Sequence, residues 1–280
     1  MDLQYAKFDY STEPKTLLNY DEVFTTEKSL GRGASGVVRL IRSRHSGILY
    51  ALKLLDNNPT KEVKLLERVS KYPHCYRYIS CYYDNFKVEW HKQILYAILM
   101  EYIEGTDLEQ IKKFERLKKK NLTPFTVDEI YHIADYIFAI LSYLHKLGIS
   151  HGDVSFKNMI LTPDGTIKFI DFGLGCLIND RCQLTDYDID KGLEYHFNDI
   201  EPDDNLPLYF KTKDVHNASL LLYELITGQR PYQYHDNGLT LIEPNIQTTN
   251  QRLNRVVNGT GVMDPFTRLT AEEALAELHR

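Results

Sequence analysis

The 280-residue chain is 43% hydrophobic and 26% charged, proportions that are typical of globular proteins and exclude a disordered or fibrous chain. Its formal net charge of −6 argues against a general binder of nucleic acid or of membrane surfaces. The longest apolar run, Ile94 to Met100, is too short to cross a bilayer. We therefore expect no membrane insertion, and the polar stretch from Met1 to Lys15 predicts no secretory signal.

The first hundred residues predict a mainly β block with one helix. Residues 1–19 are polar and irregular, which indicates a short N-terminal extension. Asn58-Pro59 is typical of a helix start, with asparagine as the N-cap and proline in the first turn. The predicted strands are 37–41, 48–54 and 94–100, and the helix runs to about Tyr72 with Val63, Leu66 and Val69 on one face.

The rest of the chain predicts a mainly helical block. Its strongest signal is an amphipathic helix from Asp128 to Leu147, which Gly148 ends. Apolar runs at 159–161 and 167–170 flank a Pro-Asp-Gly turn and predict a hairpin. We further expect a solvated helix end or loop at Phe114 to Lys120, a long polar loop at 178–212, and helices at 215–228 and 270–279.

The four cysteines are Cys75, Cys81, Cys176 and Cys182. They form no Cys-x-x-Cys pair, and no histidine lies at zinc-finger spacing from them. This pattern predicts reduced thiols in an intracellular protein, and hence a cytoplasmic location.

A glycine-rich segment is the first candidate for phosphate binding. The spacing of Gly31, Gly33 and Gly36 lets backbone N–H groups close on phosphate oxygens, although the pattern alone is also typical of a flexible turn. A dinucleotide-binding fingerprint would open a helix at this point. Here Gly36 is followed by Val37 and a second predicted strand, so the segment predicts a β-hairpin flap.

Charged residues near the flap and after the long helix are the next candidates. Lys53 ends an apolar strand, where a lysine either reaches solvent or holds a phosphate, and Glu62 on the next helix could pair with it. Asp153 in His-Gly-Asp, Asn158 five residues later and Asp171 in Asp-Phe-Gly follow in that order. Two aspartates and an asparagine supply hard oxygen ligands for Mg²⁺ and one carboxylate that can accept a proton.

In this order the motifs resemble the signature set of the protein kinase family. The resemblance covers about residues 24–278. It includes a hinge-like segment from Leu99 to Gly105, Asp214 at the start of a helix, and Arg268 in an Asp-Pro-x-x-Arg-x-Thr motif. It implies an α+β, bilobal fold with an extension at 1–19, an N-lobe at 20–102 and a C-lobe at 103–280, with Mg-ATP bound in the cleft between the lobes.

The resemblance also implies a role for each matching residue. Lys53 would hold the α- and β-phosphates and pair with Glu62. Asp153 would orient and deprotonate the acceptor hydroxyl, while Asn158 and Asp171 would hold Mg²⁺. The implied nucleotide-binding residues are Leu30, Gly31, Arg32, Gly33, Ala34, Ser35, Gly36, Val37, Val38, Ala51, Lys53, Met100, Glu101, Tyr102 and Asp107, with Met100 as gatekeeper.

Several positions depart from the family pattern. Glu62 follows Lys53 after only nine residues and Glu67 lies at a more usual distance, but only Glu62 precedes the expected apolar helix face. Gly152 replaces an arginine that is common before the catalytic aspartate, and Ser155 replaces a lysine that is usual in serine/threonine kinases. Lys157 is therefore a candidate catalytic cation that could reach the γ-phosphate. Glu201 is the candidate partner of Arg268.

These patterns predict an enzyme that transfers the γ-phosphate of ATP, with Mg²⁺, to hydroxyl groups of proteins, most often serine or threonine. The expected partner is a protein substrate and not nucleic acid; the oligomeric state is left open. The His-Gly-Asp triplet also resembles aminoglycoside-type kinases, so a small-molecule phosphotransferase is one alternative. A pseudokinase scaffold is the other, and the retention of Lys53, Asp153, Asn158 and Asp171 argues against it.

Overall fold

The computed structural model describes residues 14, 16–33, 36–72, 75–118, 125–178, 206–235 and 238–280. They fall into two compact units, Met1–Ile103 and Glu104–Arg280. The first is built mainly of strands and the second mainly of helices, which confirms the predicted α+β class. Among the described helices, none has the length and apolarity that crossing a membrane requires.

The first unit contains a six-stranded sheet. Its elements are β1 (Leu17–Asn19), α1 (Tyr20–Val23), β2 (Phe24–Gly33), β3 (Gly36–Ser43), β4 (Leu49–Leu55), α2 (Thr60–Ser70), α3 (Cys75–Tyr78), β5 (Tyr82–Trp90) and β6 (Gln93–Glu101). The strand order is β1-β5-β6-β4-β3-β2, and only the β1–β5 pair among these is parallel. The prediction of an irregular extension through residue 19 was wrong at its end, because 17–19 pair with β5.

An apolar cluster covers one face of this sheet. Its buried members are Tyr20, Phe24, Ile41, Leu52, Leu54, Phe86, Val88 and Ala97. Because side chains alternate along a strand, the burial of Leu52 and Leu54 on this face places Ala51 and Lys53 on the other one. The alternation thus separates the apolar core from the face that carries the candidate nucleotide-binding residues.

Helix α2 forms as predicted, with altered ends. Its buried side chains include Val63, Leu66 and Val69, the three that the sequence assigned to one face. The helix begins at Thr60, with Pro59 rather than Asn58 at the N-cap, and it ends at Ser70. Asn58 does not cap because its side-chain oxygen accepts a hydrogen bond from the Thr60 hydroxyl instead of from a helix N–H.

The cysteines differ from the prediction. Cys75 and Cys81 form a disulfide that encloses α3, and Cys176 is disulfide-bonded as well. The expectation of reduced thiols was therefore wrong, and the argument that it lent to a cytoplasmic location falls away. Cys75 and Cys81 are six positions apart along the chain, but α3 turns the backbone so that their Cα atoms lie 5.9 Å apart.

The second unit consists of helices and short two- and three-stranded sheets. Its elements are β7 (Thr106–Asp107), α4 (Leu108–Lys118), α5 (Val127–Lys146), β8 (Ile149–Ser150), a 3₁₀ turn (Phe156–Asn158), β9 (Met159–Leu161), β10 (Ile167–Phe169), β11 (Cys176–Leu177), α6 (Leu206–Thr227), β12 (Tyr232–His235), β13 (Gly238–Leu241), α7 (Gln251–Thr260) and α8 (Ala271–His279). Helix α5 packs against α6 and α8, and α7 packs against both of those helices.

The long amphipathic helix and the hairpin are confirmed. A capping box between Thr126 and Glu129 starts α5, and Gly148 follows its end with φ +71°, a conformation that glycine adopts without a steric penalty. Strands β9 and β10 pair antiparallel around the predicted turn. The segment with Asp153 follows α5, and Asp171 follows β10.

Helix α6 departs from the prediction at its start. Helix α6 begins at Leu206 and not at 215, so residues 206–212 are helical rather than part of a long loop. Pro207 suggests a loop, but proline is tolerated in the first turn of a helix, where its missing N–H has no intrahelical partner. Residues 179–205, with the rest of that predicted loop and Glu201, lie outside the described residues.

A buried histidine on α6 predicts how stability depends on pH. Burial, with the nearby charge of Arg268, lowers the pKa of His216 to about 3, so this residue is neutral in the folded protein. The unfolded chain takes up a proton near pH 6.5, and stability is therefore lost as the pH falls through that value. Between pH 7.5 and 5.5 the loss from this residue should be about 1 kcal/mol.

Urea unfolding of wild type and His216→Gln at both pH values measures this loss. Between these pH values the variant should lose about 1 kcal/mol less than wild type. Equal losses in the two proteins would show that His216 does not supply the pH dependence.

Candidate active site

The glycine-rich segment forms the ends of two paired strands in the first unit. Gly31 of β2 lies opposite Val38 of β3, and Gly33 lies opposite Gly36. Gly36 has φ +134°, and a Cβ added to it would lie 2.2 Å from the Leu54 carbonyl oxygen. Only glycine therefore fits at this position, and the β-hairpin predicted from the sequence is present.

The other predicted residues of this segment extend along the same strands. Leu30 and Arg32 lie on β2, and Val37 and Val38 lie on β3. In register, Val38 faces Lys53 across β3 and β4, and Met100 faces Ala51 across β4 and β6. These partners share one side of the sheet, since directly opposite residues point the same way. Ala34 and Ser35 lie outside the described residues.

Lys53 and Glu62 form a buried ion pair. The Lys53 Nζ lies 2.8 Å from Oε1 and 2.9 Å from Oε2 of Glu62. The two residues are 2% and 6% exposed, so this lysine does not reach solvent. Of the two carboxylates that the sequence left open, Glu62 and not Glu67 makes the contact. The pair fixes an ammonium on the sheet face that carries Val38 and Ala51.

The hinge-like residues are tied to neighbouring chain segments. The Glu101 N–H donates to the Cys81 carbonyl at 2.8 Å, and the Ser80 hydroxyl donates to the Glu101 carbonyl at 2.8 Å. Asp107 accepts a hydrogen bond at 2.8 Å from the N–H of Gln110 in the first turn of α4, and its other oxygen accepts from the Gln110 side chain. Asp107 thus caps α4, a structural task that the sequence interpretation missed. Tyr102 follows β6 and is partly buried.

The candidates within residues 151–158, the candidate catalytic loop, meet at one carboxylate in the second unit. The Asn158 amide donates to the Asp153 carbonyl oxygen at 3.0 Å and to its Oδ2 at 2.8 Å. The Lys157 Nζ lies 3.0 Å from the same Oδ2. Among the described residues, no hydrogen bond or ion pair is made to Asp153 Oδ1. One carboxylate oxygen is thus held in place by two side chains, and the other is not.

Asp171 lies next to this loop. The N–H of Ile170 donates to the Asn158 carbonyl at 2.9 Å, and this bond fixes the backbone that precedes Asp171. Asp171 itself has φ +62°, which is uncommon for a residue with a side chain, and its Oδ1 accepts from the Gly173 N–H at 3.1 Å. The Asn158 amide oxygen and the Asp171 carboxylate are hard oxygen donors, a set that fits Mg²⁺.

A second carboxylate, that of Asp214 on α6, holds the catalytic loop in place through hydrogen bonds. It is fully buried and accepts hydrogen bonds from the N–H groups of His151 (2.8 Å) and Gly152 (3.0 Å) and from the Ser150 hydroxyl (3.0 Å). Its Oδ2 also lies 3.1 Å from His145 Nε2. Burial alone would raise the pKa of Asp214, but these hydrogen bonds and the histidine charge outweigh it and lower the pKa. The carboxylate stays ionised and holds two consecutive backbone N–H groups.

His151 is a structural residue of the same loop. Its ring packs against Phe169 and Phe172, with centroids 5.2 Å and 4.9 Å away, and its Nε2 lies 3.2 Å from the Ile170 carbonyl oxygen. Burial lowers its pKa, against the opposing effect of nearby aspartates, so the ring is neutral near pH 7. A neutral ring can donate from Nε2 to Ile170 and accept at Nδ1 from the Asp153 N–H, 3.3 Å away.

The structure explains why glycine occupies position 152. Gly152 has φ +76°, and a Cβ there would lie 2.2 Å from the Leu174 carbonyl oxygen. The chain that follows Asp171 therefore packs directly on the glycine backbone, and β11 then pairs with β8. A larger residue at 152 would displace that chain, a steric requirement that the sequence interpretation missed.

Arg268 satisfies its guanidinium with backbone carbonyls. It donates to Val262, Met263 and Thr212, and burial lowers its pKa to about 10 despite nearby acidic groups. The predicted partner Glu201 lies outside the described residues. Within the described part of the chain, Arg268 is thus a structural link between α6 and the segment before α8.

The buried Lys53–Glu62 pair predicts a specific pattern of stability. Lys53→Met leaves a buried carboxylate without its ammonium, which typically costs about 3–5 kcal/mol, whereas replacing both partners by apolar residues of similar volume is often neutral. We therefore expect the double variant Lys53→Met/Glu62→Leu to be more stable than Lys53→Met alone. Thermal or urea unfolding of wild type, the single variants and the double variant measures this coupling, and additive losses would contradict it.

Comparison with known proteins agrees with this geometry. The sequence model of the family described as Protein kinase domain matches residues 24–279. The cAMP-dependent protein kinase type 3 of Saccharomyces cerevisiae is 27% identical over 91% of this chain and 58% of its own length. MAP kinase-activated protein kinase 2 of Drosophila melanogaster is 27% identical over 94% of this chain and 75% of its own length.

A third relative, the putative ribosomal protein S6 kinase alpha-1 of Caenorhabditis elegans, is 31% identical over 79% of this chain and 27% of its own length. The chain therefore spans about a quarter to three quarters of the length of these relatives. The family match covers nearly all of the chain and includes every candidate catalytic residue named above. The chain belongs to the protein kinase domain family.

Proposed function

We propose that the protein transfers the γ-phosphate of ATP to hydroxyl groups of protein substrates, mainly serine or threonine. The observation that carries the proposal is the carboxylate of Asp153, with one oxygen held by Asn158 and Lys157 and the other open to a hydroxyl. Family membership and the names of the kinase relatives support the same reaction. A protein is accordingly the proposed partner.

In this proposal the nucleotide is ATP, and the residues that act on it are Lys53, the glycine hairpin, Asn158 and Asp171. The fixed ammonium of Lys53 neutralises phosphate charge, while the backbone N–H groups of the glycine hairpin face phosphate oxygens. Asn158 and Asp171 would hold Mg²⁺, which supplies charge neutralisation on the transferring phosphoryl group. The buried Glu62 keeps the ammonium in one position and cuts the entropy lost when ATP binds.

Asp153 acts on the acceptor hydroxyl. Its Oδ1 accepts the hydroxyl hydrogen bond and aligns the oxygen with the γ-phosphorus. As the new O–P bond forms, the bond from the γ-phosphorus to the β–γ bridging oxygen breaks and ADP leaves with its electron pair. The hydroxyl proton passes to the Asp153 carboxylate and then to solvent.

Lys157 supplies the cation that the catalytic loop lacks at Ser155. Its ammonium lies 3.0 Å from Asp153, on a side chain that is 64% exposed. In this position it can contact the transferring phosphoryl group, and it also presents positive charge to the incoming substrate. Two unit charges about 4 Å apart interact by about 4 kcal/mol near a surface, before solvation and salt reduce the effect. Even a quarter of that energy gives a several-fold preference for acidic substrates.

The two alternatives are weaker than this proposal. Aminoglycoside-type kinases share the His-Gly-Asp triplet, but here the triplet accompanies the buried Asp214 and the Arg268 motif, which fall within the matched protein kinase region. A scaffold without catalysis would need no open carboxylate oxygen beside a set of magnesium donors. Phosphate transfer to peptides, measured against transfer to aminoglycosides, separates the three functions.

Two substitutions test the separate roles of the aspartates. Asp153→Asn should abolish phosphate transfer while Mg-ATP affinity stays within about twofold of wild type, because Asp153 acts on the hydroxyl. Asp171→Ala should instead weaken nucleotide binding in the presence of Mg²⁺ and leave binding in EDTA unchanged. Transfer to a peptide library and nucleotide titration by calorimetry measure both effects. If both variants lost phosphate transfer alone, or both lost nucleotide affinity alone, the assignment of separate roles would be wrong.

The charge of Lys157 predicts substrate preference. Lys157→Glu should shift the preference of the enzyme from acidic toward arginine-rich peptides by several-fold, because it reverses the charge beside Asp153. Lys146→Glu is a matched control, since Lys146 is a similarly exposed lysine with an ion pair to Glu272 on α8. Peptide-array profiles of the three proteins measure the shift. Identical profiles for Lys157→Glu and wild type would refute the specificity claim and leave the kinase proposal intact.

A further inference from the structure

A partly buried lysine outside the predicted site contacts the catalytic loop. The Lys112 Nζ, on α4, lies 4.1 Å from the ring centroid of Phe156, the first residue of the 3₁₀ turn. The same Nζ lies 3.1 Å from Glu224 Oε1 on α6 and 3.4 Å from Glu109 Oε2 on α4. One ammonium thus contacts two helices and the loop between Asp153 and Asn158.

Burial makes these contacts energetically significant. The side chains of Lys112 and Glu224 are 12% and 8% exposed, and Phe156 is 4% exposed. An ammonium that is shielded from water needs compensating partners, and here a carboxylate and the face of an aromatic ring supply them. Desolvation strengthens a contact between a cation and an aromatic ring relative to one at the surface. The lysine therefore restrains the Phe156 ring strongly.

The position of Phe156 links this restraint to the chemistry. Phe156 lies three residues after Asp153 and two before Asn158, whose amide holds the Asp153 carboxylate. Asp214 fixes the start of the loop through the N–H groups of His151 and Gly152. Among the described residues, the Lys112 ammonium over the Phe156 ring restrains the end of the loop, as Asp214 restrains its start. Movement of the Phe156 ring would move Asn158 and with it the Asp153 Oδ2.

We propose that Lys112 is a positioning residue for phosphate transfer, acting through Phe156 on the geometry of Asp153 and Asn158. This inference rests on the proposed function for its kinetic consequences. The role is distinct from that of Lys157, which touches Asp153 directly and is largely exposed. Lys112 touches neither Asp153 nor Asn158 in any contact described above.

The test compares Lys112→Met with Lys113→Met. Lys113 is the adjacent lysine and pairs with the same Glu109 at 3.3 Å, but its side chain is 67% exposed. We expect Lys112→Met to lower kcat at least tenfold per nucleotide-binding site, while the KM for Mg-ATP changes less than twofold. Lys112→Arg, which keeps the cation, should restore most of kcat. Counting active sites by nucleotide titration removes any effect of a lower folded fraction.

A second measurement does not depend on activity. Hydrogen exchange of the backbone N–H groups at 151–158 should be faster in Lys112→Met than in wild type and unchanged in Lys113→Met. Inactive wild type would refute the proposed function, and the exchange comparison would still decide whether Lys112 restrains the loop.

If Lys112→Met does not fold, Phe156→Leu keeps an apolar side chain and removes the ring face, and it should show the same loss of kcat and faster exchange. Unchanged kcat per site together with unchanged exchange, in whichever of these two variants folds, would overturn the inference.

Discussion

The candidate active site depends on the burial of one ionised carboxylate. Asp214 lies on a 22-residue helix and receives hydrogen bonds from two consecutive backbone N–H groups and a hydroxyl of the catalytic segment. A charge this deeply buried is tolerated only if donors surround it, so the loop cannot leave without stranding the charge. Asp214 of α6 fixes the position of the loop, and the loop in turn supplies the hydrogen-bond donors that this buried carboxylate needs. Precise placement of Asp153 follows from this mutual constraint.

The same loop is also constrained sterically, at Gly152. Gly152 has a left-handed backbone conformation and leaves space for the Leu174 carbonyl, and the N–H of Ile178 then donates to the Gly148 carbonyl. These contacts set the chain after Asp171 against the chain before Asp153. They use only backbone atoms and the absence of a side chain at 152. An arginine at this position would have to relieve both the strained φ and the 2.2 Å approach.

Local patterns predicted much of the fold, and contacts distant in sequence account for most of what they missed. The apolar period of α5 and the Pro-Asp-Gly turn between β9 and β10 are complete within a few residues, so sequence alone sufficed. Strand β5 was not predicted, because charged residues on its outward positions interrupt a short apolar alternation and β1 provides half of its pairing. Helix α7 was not predicted because one of its buried positions is polar. Asn254 lies there and forms hydrogen bonds with Thr248, whereas a helical periodicity count expects an apolar residue.

In the candidate site, too, local patterns predicted some features, and contacts distant in sequence account for the rest. The motifs around Asp153 and Asp171 could be recognised in the sequence. Glu62 could also be preferred over Glu67, because an apolar helix face follows it, although its distance from Lys53 is shorter than usual. The capping role of Asp107, the packing need at Gly152 and the contact of Lys112 with Glu224 could not. The last of these joins residues 112 positions apart, and no local propensity reports such a pair. Composition likewise gave no signal that Cys75 and Cys81 would be joined across the short helix α3.

One buried and one partly buried ion pair of this protein are better explained by geometry than by stability. Replacing a buried pair with apolar residues is often neutral or stabilising, so Lys53–Glu62 and Lys112–Glu224 need another reason to be present. Each pair joins a helix to an element that carries candidate chemistry: α2 to strand β4 in one case, and α4 and α6 to the catalytic loop in the other. An apolar contact at the same places would permit small sliding motions, whereas a desolvated ammonium is held by the directions of its hydrogen bonds. Buried charge therefore defines where the candidate reacting groups lie, and hydrophobic packing stabilises each unit around its own candidates.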